Sequence, residues 1–124
     1  HQAPAQGAFF ELAARSGLRI TSGLVLGDRL LRPELETTPE AAFADSETLL
    51  KTWHGHGRLR YAVTPRFSLS CTEGLLEAAG ALVKRYPDAL FQSHINESPA
   101  EIARVRELFP WAGDYLETYE RFGF

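Results

Sequence analysis

An apolar segment gives way to polar and ionisable residues in the sequence Ala89-Leu90-Phe91-Gln92-Ser93-His94-Ile95-Asn96-Glu97. Its apolar beginning, Ala89–Ser93, predicts a strand, and the imidazole of His94 and the carboxylate of Glu97 follow where that strand leaves the sheet. In α/β enzymes, the chemistry lies at the carboxyl ends of parallel strands. His94 and Glu97 are therefore candidate functional residues.

Outward from this stretch, strand patterns alternate with helical ones. Strands are predicted at Leu18–Leu26, Leu59–Thr64 and Ala89–Ser93. Helical spacing of apolar residues predicts helices over Ala5–Ser16, after Thr38, after Ser70 and after Ser98, with a further short helical segment over Trp111–Phe122, and Gly27–Thr38 has the composition of a surface loop. This order predicts an α/β fold of about three parallel βα units.

The helix starts are predicted from capping residues. Thr38 and Ser98 are each followed by proline, which favours the first helical position. Ser70 stands three residues before Glu73, the spacing of a capping box. Each predicted helix therefore begins shortly after a strand or loop ends.

Strand alternation places the candidate residues relative to one another. Leu90, Gln92 and His94 share one face of their strand, and His94 points inward if the sheet closes into a barrel. By the same parity, Arg66 and Phe67 leave the preceding strand beside the same opening. The pattern predicts one site made of His94, Glu97, Arg66 and Phe67.

Composition limits the partners and the size of the fold. The 124 residues suffice for one core, and a net charge of −3 with no basic tract favours a small-molecule ligand over nucleic acid or a membrane. No apolar stretch has membrane-spanning length and no signal peptide is recognised, while the single Cys71 favours a reducing, cytoplasmic location. Cys71 itself is expected to be a packing residue rather than a nucleophile.

Several motifs together resemble one enzyme family. They are Val63-Thr64-Pro65-Arg66-Phe67-Ser68-Leu69-Ser70-Cys71, Gln92-Ser93-His94-Ile95-Asn96-Glu97, Leu108-Phe109-Pro110 and Tyr115-Leu116-Glu117-Thr118-Tyr119-Glu120-Arg121-Phe122-Gly123. In these motifs, and over essentially its whole length, the chain resembles the guanine deaminases of the amidohydrolase superfamily. The stretch from Thr64 to Cys71 is far more specific than an isolated His-x-x-Glu.

The resemblance implies a zinc-dependent (β/α)8 barrel that hydrolyses guanine to xanthine and ammonia and that commonly forms homodimers. By position, His94 matches a zinc ligand at the end of the fifth strand, Glu97 the proton-shuttling carboxylate, and Arg66 and Phe67 the purine-recognition pair. The residue types suit these roles, because a guanidinium offers a planar fork of donors and a phenyl ring offers a flat face.

The chain departs from the family pattern in length and in ligands. A (β/α)8 barrel typically needs about 250 residues, so residues 1–124 are expected to form only the central part of a metal-dependent hydrolase barrel, inactive alone. His94 is one ligand of a set whose other members have no counterpart here. His54-Gly55-His56 lies between a helix and a strand, on the opposite face from His94, where a structural role is expected.

Two alternatives remain open at this stage. The barrel could deaminate or dechlorinate another aminated heterocycle, against which Arg66 and Phe67 argue. Alternatively, the chain could be a non-catalytic α/β domain that binds a partner through its open sheet edges. The ordinary interpretations also stand: His94 as a core histidine, Glu97 as a solvated helix-start acid, Arg66 as a surface ion-pair partner and Phe67 as core packing.

Overall fold

In the computed structural model, which describes residues 2–124, helices alternate with short parallel strands. The helices are α1 (Ala3–Ser16), α2 (Pro39–Trp53), α3 (Glu73–Arg85), α4 (Pro99–Leu108) and α5 (Glu117–Glu120), and the strands are β1 (Ile20–Ser22), β2 (Val25–Leu26), β3 (Leu59–Pro65) and β4 (Leu90–Phe91). Short 3₁₀ turns cover Pro33–Leu35 and Ser68–Ser70. The predicted α/β class and the parallel strands are confirmed.

The central strand is β3, which is buried at every position except Arg60. It pairs in parallel with β1 and β2 in one continuous register, with Ile20 opposite Leu59 and Val25 opposite Thr64. It also pairs in parallel with β4, where Ala62 lies opposite Leu90. Because β1 and β2 keep one register and only two residues separate them, they form two halves of one edge beside β3.

The predicted single strand Leu18–Leu26 is wrong in its continuity. It begins at Ile20 and is interrupted at Gly23 and Leu24, where the Leu24 amide donates to the Tyr61 hydroxyl over 3.1 Å instead of to a backbone carbonyl. A Cβ atom at Gly23 would lie 1.7 Å from the Ala62 carbonyl oxygen. The glycine therefore permits a backbone approach that no other residue could make.

Two of the predicted helix starts are confirmed. The Thr38 hydroxyl accepts from the Ala41 amide over 3.1 Å, and the Ser98 hydroxyl accepts from the Glu101 amide over 3.2 Å. The helix predicted over Ala5–Ser16 begins slightly earlier, at Ala3, and ends as expected where Gly17 adopts a φ of 71°.

The capping box predicted at Ser70 is wrong, because α3 starts two residues later. Thr72 is the N-cap, and its hydroxyl accepts from the Leu75 amide over 3.3 Å. Ser70 is buried in the preceding 3₁₀ turn, where its hydroxyl donates to the Phe67 carbonyl over 3.2 Å. A serine with a local backbone partner in a turn is not available to cap the helix.

Two further predicted elements are shorter than expected. The strand predicted over Ala89–Ser93 has strand geometry only at Leu90–Phe91, although the Gln92 amide still donates to the Val63 carbonyl over 3.2 Å. The helical segment predicted over Trp111–Phe122 is a series of turns around α5 (Glu117–Glu120).

The core lies between β3 and the helices α1, α2 and α3. Its fully buried side chains include Phe10, Leu59, Tyr61, Val63, Leu75, Leu76 and Leu82. This core holds β3 in place, and with it the position from which Arg66 and Phe67 leave the strand. Among residues 2–124, no helix is both long enough and apolar enough to cross a membrane.

Candidate functional site

The carboxyl ends of β3 and β4 bring three of the four predicted site residues together. The Arg66 carbonyl accepts from the His94 amide over 3.1 Å, and the Arg66 amide donates to the Leu26 carbonyl over 2.9 Å. The rings of Phe67 and His94 meet edge to face with centroids 6.3 Å apart. The guanidinium carbon of Arg66 lies 5.0 Å from the centre of the Phe67 ring. Arg66, Phe67 and His94 thus share one opening, as the strand parity predicted.

The orientation of His94 is set by a backbone carbonyl. Its Nδ1 lies 2.8 Å from the Arg66 carbonyl oxygen, which can only accept a hydrogen bond. The proton must therefore sit on Nδ1, and a neutral ring then carries its lone pair on Nε2. The side chain is exposed, so this nitrogen is available to a metal ion. Fixing one ring nitrogen by a carbonyl is how metal-ligating histidines are usually oriented.

Glu97 is not brought into contact with His94. Between them the chain turns through Asn96, whose φ of 54° is left-handed, a conformation that asparagine tolerates better than most residues. Glu97 is exposed one residue before the N-cap Ser98, and among residues 2–124 its carboxylate has no hydrogen bond or ion pair. It is therefore free to meet a ligand or solvent near the opening.

The loop after β3 is held from the β2 side. The Arg29 guanidinium donates to the carbonyls of Ser68 and Leu69, both over 3.2 Å, and lies 5.2 Å from the centre of the Phe109 ring. Burial lowers the pKa of Arg29, with the neighbouring Asp28 opposing that shift. The loop that carries Arg66 and Phe67 is thus fixed at its far end by a charged side chain.

Asp28 joins the same loop to the start of α3. Its carboxylate accepts from the Thr72 amide over 2.7 Å and from the Thr72 hydroxyl over 2.5 Å. Its own amide donates to the Ser70 carbonyl over 2.9 Å. The carboxylate and the amide of Asp28 therefore both hold the loop conformation, a role that the surface-loop composition of Gly27–Thr38 did not predict.

Tyr119 holds the loop from the opposite side. Its hydroxyl donates to the His94 carbonyl over 2.6 Å and accepts from the Ser93 hydroxyl over 2.8 Å and the Ser68 amide over 3.1 Å. The side chain is 3% exposed, and burial raises the pKa of the phenol. Tyr119 belongs to one of the motifs that resemble the guanine deaminases, but the motif alone predicts no role for it. A tyrosine among buried apolar residues signals a hydroxyl that needs partners, but not which ones.

Cys71 has the packing role expected from the sequence. It is fully buried, and its thiol contacts the Leu26 carbonyl oxygen over 3.7 Å. Burial raises the pKa of the thiol to about 12. It lies before the N-cap Thr72 rather than in the first helical turn, so the thiolate that nucleophilic chemistry needs is disfavoured at neutral pH.

The other histidines lie at the amino end of β3. His54 is the residue at which α2 ends, and its Nδ1 accepts from the Tyr61 amide over 2.9 Å. His56 meets the Trp53 ring edge to face, with centroids 5.5 Å apart. Within residues 2–124, no group of three or more His, Cys, Asp or Glu side chains could hold a metal ion. His94 therefore suits one ligand position in a site that needs further donors.

A cleft of about 240 Å³ lies nearby, between α4 and the segment that precedes α5. Its lining includes Asn96, Arg106, Phe109 and Tyr115 but not Arg66, Phe67 or His94. Arg66, Phe67 and His94 thus lie at the carboxyl ends of β3 and β4 rather than in this cleft.

Comparison with known proteins assigns the chain to a family. No family model matches the sequence. The chain is 58% identical over 123 residues to a probable guanine deaminase from Deinococcus radiodurans, covering 99% of this chain and 28% of that protein. It therefore spans little more than a quarter of the relative's length.

Solved structures agree with this assignment. The guanine deaminase of E. coli superposes with a TM-score of 0.95 at 35% identity, over 98% of this chain and 28% of that one. The guanine deaminase of C. acetobutylicum, whose structure has guanine bound in the active site, superposes with a TM-score of 0.81 at 29% identity, over 92% of this chain and 27% of that one. In sequence and in fold, this chain belongs to the guanine deaminase family and corresponds to a segment of its barrel.

Proposed function

We propose that this chain supplies part of the active site of a zinc-dependent guanine deaminase, which hydrolyses guanine to xanthine and ammonia. One observation carries the proposal: Arg66, Phe67 and His94 converge at the carboxyl ends of adjacent strands, with Nδ1 of His94 held by the Arg66 carbonyl. Membership of the guanine deaminase family supports the substrate.

We propose further that residues 1–124 act as part of one barrel domain. Leu90 of β4 is 48% exposed, and strand alternation predicts that it shares a face with Gln92 and His94. An apolar side chain on the inner face of a barrel is normally covered by side chains from other strands. The remaining metal ligands would come from those strands, and a cytoplasmic homodimer is the assembly that we propose for the complete enzyme.

His94 is the residue that would hold zinc, through Nε2. When bound, zinc lowers the pKa of a coordinated water to about 7, which makes a nucleophile available at neutral pH. Glu97 would accept a proton from the attacking water and deliver it to a ring nitrogen of the purine. It would then take the second proton from the hydroxyl newly bound to the ring carbon and pass it to the departing amino group, which leaves as ammonia. Its exposed position, without a partner among residues 2–124, leaves the carboxylate able to do this.

Arg66 and Phe67 would bind the purine. The guanidinium offers two parallel donors to the acceptor edge of guanine, and its position over the Phe67 ring keeps the fork close to the aromatic surface. Phe67 is half-buried and would present a flat face or an edge to the base. Adenine lacks the carbonyl acceptor of guanine, so this pair favours guanine.

The test uses the intact protein that contains this segment. We expect its zinc content to approach one ion per active site and guanine to release ammonia. Turnover of another aminated heterocycle in preference to guanine would replace the proposed substrate. A protein that neither binds zinc nor turns over any such compound would favour a non-catalytic binding domain.

Glu97→Gln tests the proton-transfer role in the same protein. General acid–base catalysis contributes about 10²–10⁴-fold, so kcat should fall by that order while zinc content is retained. Glu107→Gln is the matched control, because Glu107 is an exposed acid on α4 that pairs with Arg104 at 2.7 Å. Equal activity of the two variants would remove Glu97 from the mechanism.

A further inference from the structure

The Tyr119 hydroxyl joins the two loops that carry the proposed site. It contacts the backbone of His94 and the side chain of Ser93 after β4, and the backbone of Ser68 directly after Phe67. A phenol can donate one hydrogen bond and accept two. All three are used here, so the hydroxyl is a fixed three-way junction.

The direction of each hydrogen bond is settled by its partner. The His94 carbonyl can only accept, and the Ser68 amide can only donate. Ser93 must therefore donate to the phenol oxygen over 2.8 Å, which is shorter than the 3.3 Å from the same hydroxyl to the Arg66 carbonyl.

The ring of Tyr119 is anchored independently of its hydroxyl. It packs edge to face against Phe91, with centroids 5.8 Å apart, and against Phe124, with centroids 6.3 Å apart. The side chain is 3% exposed. The hydroxyl is thus carried on a rigid support, and losing it would leave the ring packing in place.

We propose that Tyr119 is a positioning residue, which sets the place of the His94 imidazole relative to the Arg66 and Phe67 pair. The His94 ring is oriented by the Arg66 carbonyl, and the backbone of His94 is oriented by Tyr119. Together these contacts leave the imidazole one position from which Nε2 can reach a metal. The inference rests on the proposed metal role of His94 and goes beyond it by naming what holds that ligand in place.

The test compares Tyr119→Phe with Tyr115→Phe in the intact protein. The two tyrosines lie on one segment and both are buried, but the Tyr115 hydroxyl donates to Glu101 instead of to the His94 loop. Zinc affinity is measured by competition with a chelator, and kcat and KM for guanine are measured at saturating zinc.

For Tyr119→Phe we expect zinc affinity to fall about tenfold, the lower end of the usual effect of removing an outer partner of a metal ligand. We also expect kcat at saturating zinc to fall more than KM rises, since a misplaced ligand impairs the reaction even when the metal is bound. Tyr115→Phe should leave zinc affinity, kcat and KM unchanged. If Tyr119→Phe loses only thermal stability, or if the two variants behave alike, Tyr119 is merely structural and the inference is wrong.

A second variant covers a failure of Tyr119→Phe to fold. Ser93→Ala removes one donor to the phenol oxygen while keeping the buried ring, and it should weaken zinc binding in the same direction by a smaller factor. If the unsubstituted protein binds zinc without deaminating guanine, the proposed substrate fails. A weaker zinc affinity of Tyr119→Phe in that protein would still support the positioning role.

Discussion

A histidine lies beside each end of β3, and the two imidazoles have opposite hydrogen-bonding arrangements. At the carboxyl end, Nδ1 of His94 faces a carbonyl oxygen, so Nδ1 holds the proton and Nε2 is left with its lone pair. At the amino end, Nδ1 of His54 accepts from the Tyr61 amide, so in the neutral ring Nε2 holds the proton. The hydrogen-bond partner of one ring nitrogen thus decides whether the other nitrogen can bind a metal. The presence of a histidine alone does not decide it.

The largest effect expected from this difference is on metal binding. His94→Asn in the intact protein should lower zinc affinity and activity by more than the ~10–100-fold typical of losing an outer partner, because it removes the ligand itself, and the zinc content should fall with the affinity. His56→Asn is the matched control, since His56 is also exposed but lies against Trp53 at the other end of the strand. Zinc content by elemental analysis and kcat/KM for guanine are the measurements. Similar losses in the two variants would abolish the distinction between the ends.

A smaller effect is expected from the arginines at the two ends of β3. Arg66→Lys keeps the charge but loses the planar fork, so KM for guanine should rise by about 10–100-fold, the equivalent of one charge-assisted hydrogen bond. Arg60→Lys is the control, because the Arg60 guanidinium donates to the Leu59 carbonyl over 2.8 Å at the amino end. Unchanged KM in Arg66→Lys, with kcat also unchanged, would remove Arg66 from substrate binding.

Stability rather than activity should respond at the amino end. His54→Ala leaves the Tyr61 amide without its acceptor, and the free energy of unfolding should fall by about 1 kcal/mol. His54→Asn offers a carbonyl oxygen near the position of Nδ1 and should restore most of that loss. Denaturant unfolding of the three proteins measures the difference. If alanine and asparagine are equally destabilising, the hydrogen bond is not the reason for the histidine.

The sequence predicts the parts of this molecule that depend on local patterns. Thr38 and Ser98 signal their helices because a cap and a proline act within one turn. Leu59–Thr64 is predicted as a strand because most of its side chains are apolar, and the structure buries all of them except Arg60. The break at Gly23 could not be predicted, since it depends on how closely the Ala62 carbonyl approaches from another strand. The error at Ser70 has a similar cause, because its partner within the turn competes with the helix.

The candidate site likewise has a part that local patterns predict and a part that they do not. Strand parity brings Arg66, Phe67 and His94 to one opening, and the structure places them there. Asp28, Arg29 and Tyr119 contact residues that are distant from them in the sequence, so no local pattern predicts these contacts. Their residue types give only a weak signal: a buried hydroxyl or a buried charge must find a partner.

A last effect, confined to alkaline pH, concerns the buried residues beneath the carboxyl end of β3. Burial raises the pKa of the Cys71 thiol to about 12 in the folded protein, above the ordinary value of about 8.5. The stability that comes from keeping this thiol protonated is therefore fully present below about pH 8.5 and is lost as the pH rises toward 12. Between pH 8.5 and 11, the free energy of unfolding should fall less for Cys71→Ala than for the unsubstituted protein. The buried tyrosines contribute equally to the pH dependence of both proteins. If the free energies of unfolding of the two proteins change with pH in parallel, or if a thiol reagent labels the folded protein rapidly at pH 8, water reaches Cys71. The residues beneath the carboxyl end of β3 are then less tightly packed than the burial of Cys71 indicates.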